Sequence, residues 1–433
     1  MQIRKMDINN LYSAFLKSKA VNTDTRSIQP GDMFFALKGG NFDGNQYAEN
    51  ALEKGALYAI IDNLEFKKDE RYLVVDDVLT ALQTLANYYR KQFSIPFIAI
   101  TGSNGKTTTK ELLQRVLSKK YKTFATKGNL NNHIGIPLTL LSMPHDTEMA
   151  VIEMGANHQK EIEGYCKIVE PTHGTITNIG KAHLEGFGGI EGVKKGKGEL
   201  FDYLRANGRT AFVNSKDVTV SSLADWENVI YYPAEKDFYN CELITADPFV
   251  VLRTEKGEVV KTKLIGAYNF ENMACALCVG KYFEVPDKDA NDAIATYDPT
   301  NNRSQVIIKG SNTILLDAYN ANPSSMKAAI EHFAKTEFAN KVLILGDMFE
   351  LGDESEAEHG ALGKLVSELK FSKVILVGKN MIAASRTSDK TMYFENKTTL
   401  QEWLKENILK DSHILIKGSR GMGLETLLED IKS

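Results

Sequence analysis

A short glycine-rich segment between a strand-like run and a helix-like run constrains the fold of this chain more than any other feature. The segment Gly102-Ser-Asn-Gly-Lys-Thr follows the apolar run Phe97-Ile-Ala-Ile. It precedes apolar side chains at helical spacing, namely Leu112, Leu113, Val116 and Leu117. Backbone N–H groups of such a loop, with a helix N-terminus behind them, surround phosphate oxygens. The pattern predicts an α/β domain that binds a nucleoside triphosphate.

The loop is shorter than the common phosphate-binding pattern G-x-x-x-x-G-K-[ST], which would have its first glycine where this chain has Ile100. A glycine-rich turn that ends in Lys-Thr by chance is the alternative, but strand, turn and helix stand in the expected order. We expect Lys106 to reach the β- and γ-phosphates and the Thr107 hydroxyl to bind Mg²⁺. The expected nucleotide contacts of the loop are Gly102, Ser103, Asn104, Gly105, Lys106, Thr107 and Thr108.

Charge and composition exclude several classes of protein. The 433 residues carry 52 Lys and Arg against 56 Asp and Glu, a net charge of −4, so no general attraction to nucleic acid is expected. No apolar run approaches the roughly 18–20 residues that a membrane span needs. The first residues lack the apolar core of a signal peptide. We expect a cytoplasmic protein with no nucleic-acid partner and no membrane span.

Two of the four cysteines, Cys275 and Cys278, form a C-x-x-C pair. The pair lies in a run typical of a buried helix, and no second pair accompanies it. A structural zinc site or a redox pair is the alternative. Two small buried apolar side chains are the favoured interpretation.

Three regions of the chain differ in their pattern of predicted strands, turns and helices, and we expect one domain in each. Residues 1–93 hold short strands and turns and end in a helix-like run that begins at Thr80. Residues 94–300 begin with the phosphate loop and hold further buried-strand candidates at 149–152, 174–177 and 210–213. After a polar turn cluster, residues 301–433 hold apolar runs at 313–316, 341–345, 373–377 and 413–416.

Strands that alternate with helices of ten or more residues predict doubly wound parallel sheets. The expected fold class is therefore α/β with three domains. These are a small N-terminal α/β domain, a central phosphate-loop domain and a Rossmann-like C-terminal domain, with ligands in the clefts between them.

The short loop and a series of later motifs resemble the Mur ligases, the ATP-dependent amino-acid-adding enzymes of peptidoglycan synthesis. The motifs follow the family's order across nearly the whole chain. They are Gly128-Asn-Leu-Asn-Asn-His-Ile-Gly-Ile-Pro, Glu153-Met-Gly-Ala-Asn, Thr177-Asn-Ile-Gly-Lys-Ala-His-Leu-Glu, Lys197-Gly-Glu-Leu-Phe, Gly266-Ala-Tyr-Asn-Phe-Glu-Asn-Met-Ala, Asp317-Ala-Tyr-Asn-Ala-Asn-Pro, Leu345-Gly-Asp-Met-Phe-Glu-Leu-Gly and Lys417-Gly-Ser-Arg-Gly-Met. Folylpolyglutamate synthase shares the loop and the reaction type, but here the region before the loop resembles a uridine-nucleotide domain.

The motifs that begin at positions 317 and 345 resemble those of the last ligase of the series. The Asp-Asn-Pro-Arg signature of the ligase that adds the third residue is absent. The resemblance implies that D-alanyl-D-alanine is joined to UDP-N-acetylmuramoyl-tripeptide through an acyl phosphate, with ATP and two Mg²⁺ ions, and we expect a monomer. The third residue of the tripeptide, meso-diaminopimelate or lysine, stays open. A noncatalytic ATP-binding regulator and a small-molecule kinase are the alternative functions.

The resemblance places metal ligands at Glu153, His183 and Lys197, beside Thr107. Glu153 ends an apolar strand, at the edge where an α/β sheet presents ligands, and a solvated strand-end glutamate is the alternative. A lone histidine is more often an ordinary surface or core residue, which is the alternative for His183. The residues expected to carry the chemistry are Lys106, His183, Lys197 and Arg303.

Lys197 is unusual because a helix over 193–204 puts it on an apolar stripe, where a bare cation is unfavourable. Lys195 would instead align with Glu199 and Asp202 on the polar face. In Mur ligases the matching lysine is carbamoylated, which turns the cation into an anion that binds Mg²⁺. The alternative is a lysine that snorkels to the surface. Gly196 and Gly198 weaken the helix prediction.

The remaining site residues are expected by resemblance. Asn269 and Asn272 contact adenine or, as the alternative, cap a helix. Asp317 bonds ribose hydroxyls, and Arg303 approaches the phosphates as the domains close. For the substrates, the expected contacts are Asn131 and Asn132 to the muramoyl-peptide; Asp24, Thr25, Arg26, Lys38, Gly39 and Gly44 to the uridine diphosphate; and Asn320, Asn322, Lys417, Ser419 and Arg420 to the dipeptide. Each one singly is as consistent with an ordinary turn or surface position.

Overall fold

Three main sheets, in which nearly all strand pairs are parallel, follow one another along the chain, and each has its own helices. The computed structural model describes residues 7–300 and 302–432. The expected α/β class and the order of the three regions are confirmed. Within the described residues, none of the helices combines the length and the apolar character needed to cross a membrane.

The described part of the N-terminal region, from residue 7 on, contains three α-helices and six short strands. The helices are α1 (Ile8–Lys17), α2 (Ala48–Glu53) and α3 (Val78–Arg90), and the strands are β1 (Val21–Asn22), β2 (Met33–Phe35), β3 (Lys38–Gly39), β4 (Phe42–Asp43), β5 (Tyr58–Ile61) and β6 (Tyr72–Val74). Strands β1-β2-β5-β6 form a parallel sheet, and β3 and β4 form an antiparallel ribbon. The helix expected from Thr80 begins at Val78, because the Asp77 carboxylate accepts from the Thr80 N–H at 2.7 Å.

The central region is built on a six-stranded parallel sheet in the order β12-β11-β10-β7-β9-β8. Its strands are β7 (Phe97–Thr101), β8 (Thr123–Ala125), β9 (Met149–Glu153), β10 (His173–Ile176), β11 (Thr210–Asn214) and β12 (Val229–Tyr232). The helices are α4 (Lys106–Leu117), α5 (Gly135–Leu141), α6 (Glu161–Val169), α7 (Leu184–Phe187), α8 (Ile190–Ala206) and α9 (Val218–Ser221). The predicted strand and helix around the phosphate loop are confirmed, and the four apolar side chains of α4 are fully buried.

An antiparallel sheet interrupts the α/β pattern, which the sequence did not predict. It contains β13 (Cys241–Thr245), β14 (Phe249–Thr254) and β15 (Val259–Ile265), and two helices follow it, α10 (Tyr268–Tyr282) and α11 (Asp287–Ala295). Helix α10 packs on α4 and is buried on nearly all sides. Cys275 and Cys278 lie within it as free, buried thiols, which confirms the favoured interpretation of the C-x-x-C pair.

The C-terminal region has a six-stranded sheet in the order β16-β17-β21-β18-β19-β20. Its strands are β16 (Gln305–Lys309), β17 (Asn312–Asp317), β18 (Lys341–Gly346), β19 (Lys373–Val377), β20 (Thr391–Phe394) and β21 (His413–Lys417), and its helices are α12 (Pro323–Lys335), α13 (Ser355–Glu368), α14 (Ile382–Ser385) and α15 (Lys397–Glu406). All four predicted apolar runs are strands. The edge strand β16 is antiparallel to β17, and the other pairs are parallel.

Short 3-10 helices complete the described secondary structure, at Gly44–Tyr47, Leu64–Phe66, Gly352–Glu354, Arg420–Met422 and Leu424–Glu429. The strand order brings together the loops that follow β7, β9 and β10, at one edge of the central sheet. In the C-terminal sheet, β17 and β21 are neighbours, so Asp317 pairs in register with Lys417. Polar side chains from both sheets therefore collect at carboxyl ends of parallel strands.

Candidate active site

A cleft of about 630 Å³ lies between the central and C-terminal regions. Its volume falls in the range of roughly 300–1,000 Å³ that is usual for ligand sites. The predicted site residues that line it are Ser103, Asn104, Gly105, Lys106, Thr107, Thr108, Asn131, Asn132, Glu153, His183, Asn269, Asn272, Arg303, Asp317, Asn320, Asn322 and Lys417. Residues predicted to contact the nucleotide and residues predicted to contact the other substrates therefore line the same cleft, and they come from both regions.

The phosphate loop takes its shape from two glycines in the left-handed region. Gly102 has a φ of +142° and Gly105 a φ of +79°. A Cβ at Gly102 would come within 2.1 Å of the Thr177 hydroxyl, so a side chain is excluded there. Asn178, which follows β10, accepts from the Asn104 N–H at 3.0 Å and fixes the tip of the loop.

Lys106 folds back over its own loop. Its Nζ donates to the carbonyl of Gly102 at 2.6 Å and to that of Ser103 at 3.2 Å. Burial lowers the pKa of Lys106 to about 8; the Glu153 carboxylate opposes this effect and the Arg303 charge adds to it. A phosphate in the cleft would favour the charged form of this lysine.

Glu153 ends β9 and is 2% exposed, so the solvated alternative is wrong. Its Oε1 accepts from the Thr107 hydroxyl at 3.1 Å and from Asn131 Nδ2 at 2.8 Å. Its Oε2 is buried and has no hydrogen-bond partner among the described residues. A buried carboxylate oxygen without a partner is unfavourable unless a cation joins it, and carboxylate and hydroxyl oxygens suit Mg²⁺. Glu153 and Thr107 therefore fit a divalent cation.

The described side chains alone do not supply a full set of metal ligands. In residues 7–300 and 302–432, no three His, Cys, Asp or Glu side chains form a group that could hold a metal ion. Mg²⁺ commonly binds through one or two protein ligands together with waters and substrate phosphates. The donor set here agrees with that pattern.

Lys197 lies inside α8 with 1% of its surface exposed. Its Nζ donates to the Ala156 carbonyl at 2.9 Å and lies 4.9 Å from the centre of the Phe187 ring. Burial, together with the like charge of Lys106, lowers the pKa of Lys197 well below its usual value. The apolar-stripe position is confirmed, and the snorkelling alternative is wrong. Lys197 does not line the cleft, whereas Ala156 does.

Glu199 corrects a second expectation about α8. It does not lie on an exposed polar face but is 7% exposed, and it accepts from the N–H groups of Lys160 and Glu163 at 2.6 and 3.0 Å. These groups begin α6, where N–H groups lack partners within the helix and favour an anion. The helix itself, predicted over 193–204, spans Ile190–Ala206 despite its glycines.

His183 precedes α7 with a φ of +52°. Its Nδ1 lies 2.5 Å from Oε2 of Glu350 in the C-terminal region, and this contact lowers the pKa of Glu350. Two residues earlier, Lys181 forms an ion pair with Glu358, and its N–H donates to the Ser324 hydroxyl at 2.9 Å. The loop that carries His183 therefore joins the two regions beside the cleft.

Asn269 and Asn272 lie inside α10, whose N-cap is Ala267 without a side-chain hydrogen bond, so the capping alternative is wrong. Asn272 Nδ2 donates to Asn269 Oδ1 at 2.9 Å, and Asn272 Oδ1 accepts from the Thr109 hydroxyl at 3.0 Å. This chain of bonds joins the helix behind the phosphate loop to α10. Both asparagines line the cleft.

Asp317 and Lys417 form an ion pair at the ends of β17 and β21, with Oδ2 and Nζ 2.5 Å apart. Asp317 was expected at the ribose and Lys417 at the dipeptide, and the structure brings the two together. Lys417 also donates to the Asn320 carbonyl at 3.3 Å. Arg303 stacks on Tyr319, which also contacts Arg420.

The asparagines of the cleft hold loops and helix ends. Asn322 caps α12 through the Ser325 N–H at 2.9 Å, and its Nδ2 donates to Asn104 Oδ1 of the phosphate loop at 2.7 Å. Asn132 Oδ1 accepts from the Gly135 N–H at 2.8 Å at the start of α5. Asn320 Oδ1 accepts from the Ala321 N–H at 2.9 Å. These contacts shape the cleft without a ligand.

Several predicted substrate residues do not line the cleft. Asp24 and Arg26 pair with each other at the surface, Lys38 pairs with Asp62, and the Thr25 carbonyl accepts from Lys54. The remaining predicted site residues that do not line the cleft, including the nucleotide candidate Gly102 and the metal candidate Lys197, are Gly39, Gly44, Gly102, Lys197, Ser419 and Arg420. Ser419 accepts from the Phe349 N–H at 2.9 Å and so fixes the loop after β18.

The cleft also contains polar residues for which no role was predicted from the sequence. They are Asn129, His133, Asn157, Glu161, Tyr165, Asn178, Tyr268, Glu271, Ser304, Tyr319, Ser324 and Ser325. Most of them lie within or beside the motifs quoted above, so their motif position was the available signal. Their place in the cleft depends on how separate loops meet.

Comparison with known proteins gives the family. Three family models match, described as "Mur ligase family, catalytic domain" over residues 17–90, "Mur ligase middle domain" over 100–280 and "Mur ligase, glutamate ligase domain" over 302–420. A Bacillus subtilis protein named UDP-N-acetylmuramoyl-tripeptide--D-alanyl-D-alanine ligase is 36% identical over 423 residues, which cover 95% of this chain and 92% of its own. The chain belongs to the Mur ligase family.

Solved structures agree with this Mur ligase over its whole length. A crystal structure of MurF from Acinetobacter baumannii has a TM-score of 0.88 and 31% identity, and the match covers 100% of this chain and 99% of the other. The MurF ligase of Thermotoga maritima, solved in complex with ADP, has a TM-score of 0.84 and 27% identity, covering 96% and 97%. The family resemblance and the three-domain Mur ligase fold are confirmed.

Proposed function

We propose that this Mur ligase joins D-alanyl-D-alanine to UDP-N-acetylmuramoyl-tripeptide at the expense of ATP, as a step of peptidoglycan synthesis. The observation that carries the proposal is the cleft in which the phosphate loop faces Arg303 and the Asp317–Lys417 pair. Full-length similarity to relatives of that name supports the choice of substrates.

The reaction must activate a carboxylate, which does not react with amines in water. A carboxylate oxygen of the tripeptide attacks the γ-phosphorus, and ADP leaves. The dipeptide amine then attacks the acyl carbon, the bond from that carbon to the phosphate oxygen breaks, and the nitrogen loses a proton. Both steps concentrate negative charge, so Lys106 and Arg303 stabilise them as positioned cations.

Thr107, Glu153, His183 and Lys197 are the proposed Mg²⁺ ligands, with two ions. When bound, Mg²⁺ neutralises phosphate charge and orients the phosphates. Glu153 Oε2, which lacks a partner among the described residues, supports the first position. Loop residues 102–108, with Asn269, Asn272 and Asp317, are the proposed nucleotide contacts.

Carbamoylation of Lys197 is part of the proposal. The lowered pKa favours the neutral amine, which is the form that attacks CO₂ to give a carbamate and one proton. The product exchanges a buried cation for an anion that a metal ion neutralises. The buried, apolar position of the side chain supports this modification.

The proposed substrate contacts are those expected by resemblance in the sequence. The N-terminal set, at residues 24–26, 38, 39 and 44, would contact the uridine diphosphate outside the described cleft. We also propose domain boundaries at 93/94 and 300/301, a monomer, and a cytoplasmic location.

The function is tested by phosphate release in a matrix of substrates. Release should require ATP, the nucleotide-tripeptide and D-Ala-D-Ala together, and ¹⁸O in the tripeptide carboxylate should appear in the released phosphate. Lys106→Ala should abolish turnover, whereas Lys119→Ala, at an exposed position just beyond the same helix, should not. Release without either substrate indicates a plain ATPase. A stable phosphorylated product, with no peptide bond formed when the dipeptide is present, indicates a kinase. Binding without any turnover indicates a regulator.

A further inference from the structure

Tyr319 lies where the proposed nucleotide and dipeptide residues meet, and no role has been assigned to it. It follows β17 two residues after Asp317 and directly precedes Asn320. Its N–H donates to the Asn302 carbonyl at 3.2 Å, next to Arg303. Its side chain is half-buried and lines the cleft.

Two arginines from separate segments contact this one ring. The Arg303 Cζ lies 3.6 Å from the ring centre, so the guanidinium covers the ring face. The Arg420 Cζ lies 5.0 Å from the same centre, and its Nη1 donates to the Tyr319 hydroxyl at 3.1 Å. The two like charges repel, and the electron-rich ring and the hydroxyl oxygen offset that repulsion.

Both arginines depend on this side chain for orientation. Arg303 Nε is buried and has no hydrogen-bond partner among the described residues, so stacking contributes strongly to the direction of its guanidinium. Arg420 is exposed and belongs to a short 3-10 helix, where a long side chain has many rotamers. The hydroxyl bond selects among them.

We propose that Tyr319 is a positioning residue that directs Arg303 to the phosphates of ATP and Arg420 to the carboxylate of the dipeptide. This rests on the proposed function, because it presupposes both substrates. Both guanidinium groups contact the ring, but Arg303 stacks closest on its face, whereas Arg420 alone bonds to the hydroxyl. The two effects are therefore separable by substitution.

Steady-state kinetics of Tyr319→Phe tests the hydroxyl. The variant keeps the ring and removes the bond to Arg420, so the KM for D-Ala-D-Ala should rise about tenfold, the scale of one lost hydrogen bond to a charged group. The KM for ATP and kcat should change less than about twofold. Tyr319→Leu also removes the stacking, so kcat should fall and the KM for ATP should rise as well.

Tyr393→Phe serves as the matched control, because Tyr393 lies on β20 of the same sheet and does not line the cleft. It should leave all three constants unchanged. Arg420→Gln should raise the dipeptide KM by a smaller factor in the Tyr319→Phe background than in the wild type, because the two residues act together. Circular dichroism reports whether the Leu variant folds, and the Phe variant decides the proposal in either case.

An unchanged dipeptide KM in Tyr319→Phe contradicts the positioning role. An equal rise in the KM values for ATP and dipeptide contradicts the division between ring and hydroxyl. Both results require an active wild type. If the wild-type protein shows no dipeptide-dependent turnover, the proposed function fails instead, so the two failures are distinguishable.

Discussion

Single residues in this protein show how burial changes the chemistry of a lysine. Lys106 and Lys197 both have lowered pKa values, chiefly because of burial. The like charge of Arg303 adds to the effect on Lys106, and the like charge of Lys106 adds to the effect on Lys197. Lys106 donates a hydrogen bond to a backbone carbonyl of its own loop and lines the cleft, so a phosphate bound there would favour its protonated, charged form. Lys197 is buried against the Ala156 carbonyl and the Phe187 ring, and the proposed carbamoylation would replace its positive charge with a negative one.

Replacing Lys197 tests this residue directly. Lys197→Ala should lower kcat by orders of magnitude while the far-ultraviolet circular dichroism stays that of the wild type, and added short carboxylates should restore part of the activity. With ¹³C-bicarbonate, a carbamate resonance should appear in the wild type and be missing from the variant. Lys195→Ala, on the exposed face of the same helix, is the control. Near-normal turnover of Lys197→Ala without any additive would remove Lys197 from the mechanism.

At the scale of elements, glycines determine how α7 and α8 pack. A Cβ at Gly192 would come within 1.8 Å of the Phe187 carbonyl oxygen, and one at Gly196 within 2.4 Å of the Phe187 ring. These two positions are four residues apart on one face of α8, so their small size lets α7 lie directly against the helix. Gly198 does not face α7: a Cβ built there has only the Leu223 side chain within 4 Å, at an ordinary contact distance of 3.6 Å.

Alanine substitutions in α8 should therefore have opposite effects on stability. Gly198→Ala should raise the free energy of unfolding by about 0.5–1 kcal/mol, because alanine favours a helix over glycine. Gly192→Ala should lower it by about 1–3 kcal/mol, because the backbone of α7 must move. Chemical denaturation of both variants measures the difference. Equal effects of the two substitutions would contradict the packing described.

The sequence predicted the elements whose signal is local and continuous. Buried parallel strands such as β9, β17 and β19 appear as unbroken apolar runs, because helices cover both faces of the sheet. The antiparallel sheet β13-β14-β15 was missed, since β15 alternates exposed and buried positions and contains no such run. The edge strands β16 and β20 were missed too, because their residues are mostly half-buried.

For the same reason, only part of the site was predictable. The phosphate loop was predicted because phosphate binding uses consecutive backbone groups. Partners distant in the chain, such as Ala156 for Lys197, Glu350 for His183 and Tyr319 for Arg303, depend on how whole elements pack. No local periodicity encodes those contacts. The predicted roles of the site residues stay predictions until the variants are measured.

At the scale of the whole molecule, contacts across the cleft connect the central and C-terminal regions. Asn322 bonds to Asn104, His183 approaches Glu350, and Lys181 pairs with Glu358. The phosphate loop and the loop that carries Lys181 and His183 are therefore in direct contact with the region of α12 and α13. Occupation of the nucleotide site and the relative position of the two domains should be coupled.

Reversing the charges of the Lys181–Glu358 pair tests that coupling. Lys181→Glu places two carboxylates together and should lower kcat/KM roughly tenfold, because the glutamate is largely buried and the repulsion is only weakly screened. The double variant Lys181→Glu/Glu358→Lys should recover much of that loss. Lys122→Glu, in an exposed pair with Asp146, is the control. Double-variant activity no better than that of Lys181→Glu would contradict the coupling.

Strand β21 has a consequence for how the enzyme is made. It lies between β17 and β18 in the sheet, although about a hundred residues separate it from β17 in the sequence. On the ribosome, the ATP loop is synthesised long before residues 413–417 emerge. Until they do, the last sheet lacks an inner strand and Asp317 lacks Lys417. A growing chain can thus form its phosphate loop early, yet the cleft that the loop faces is completed only when β21 joins the sheet.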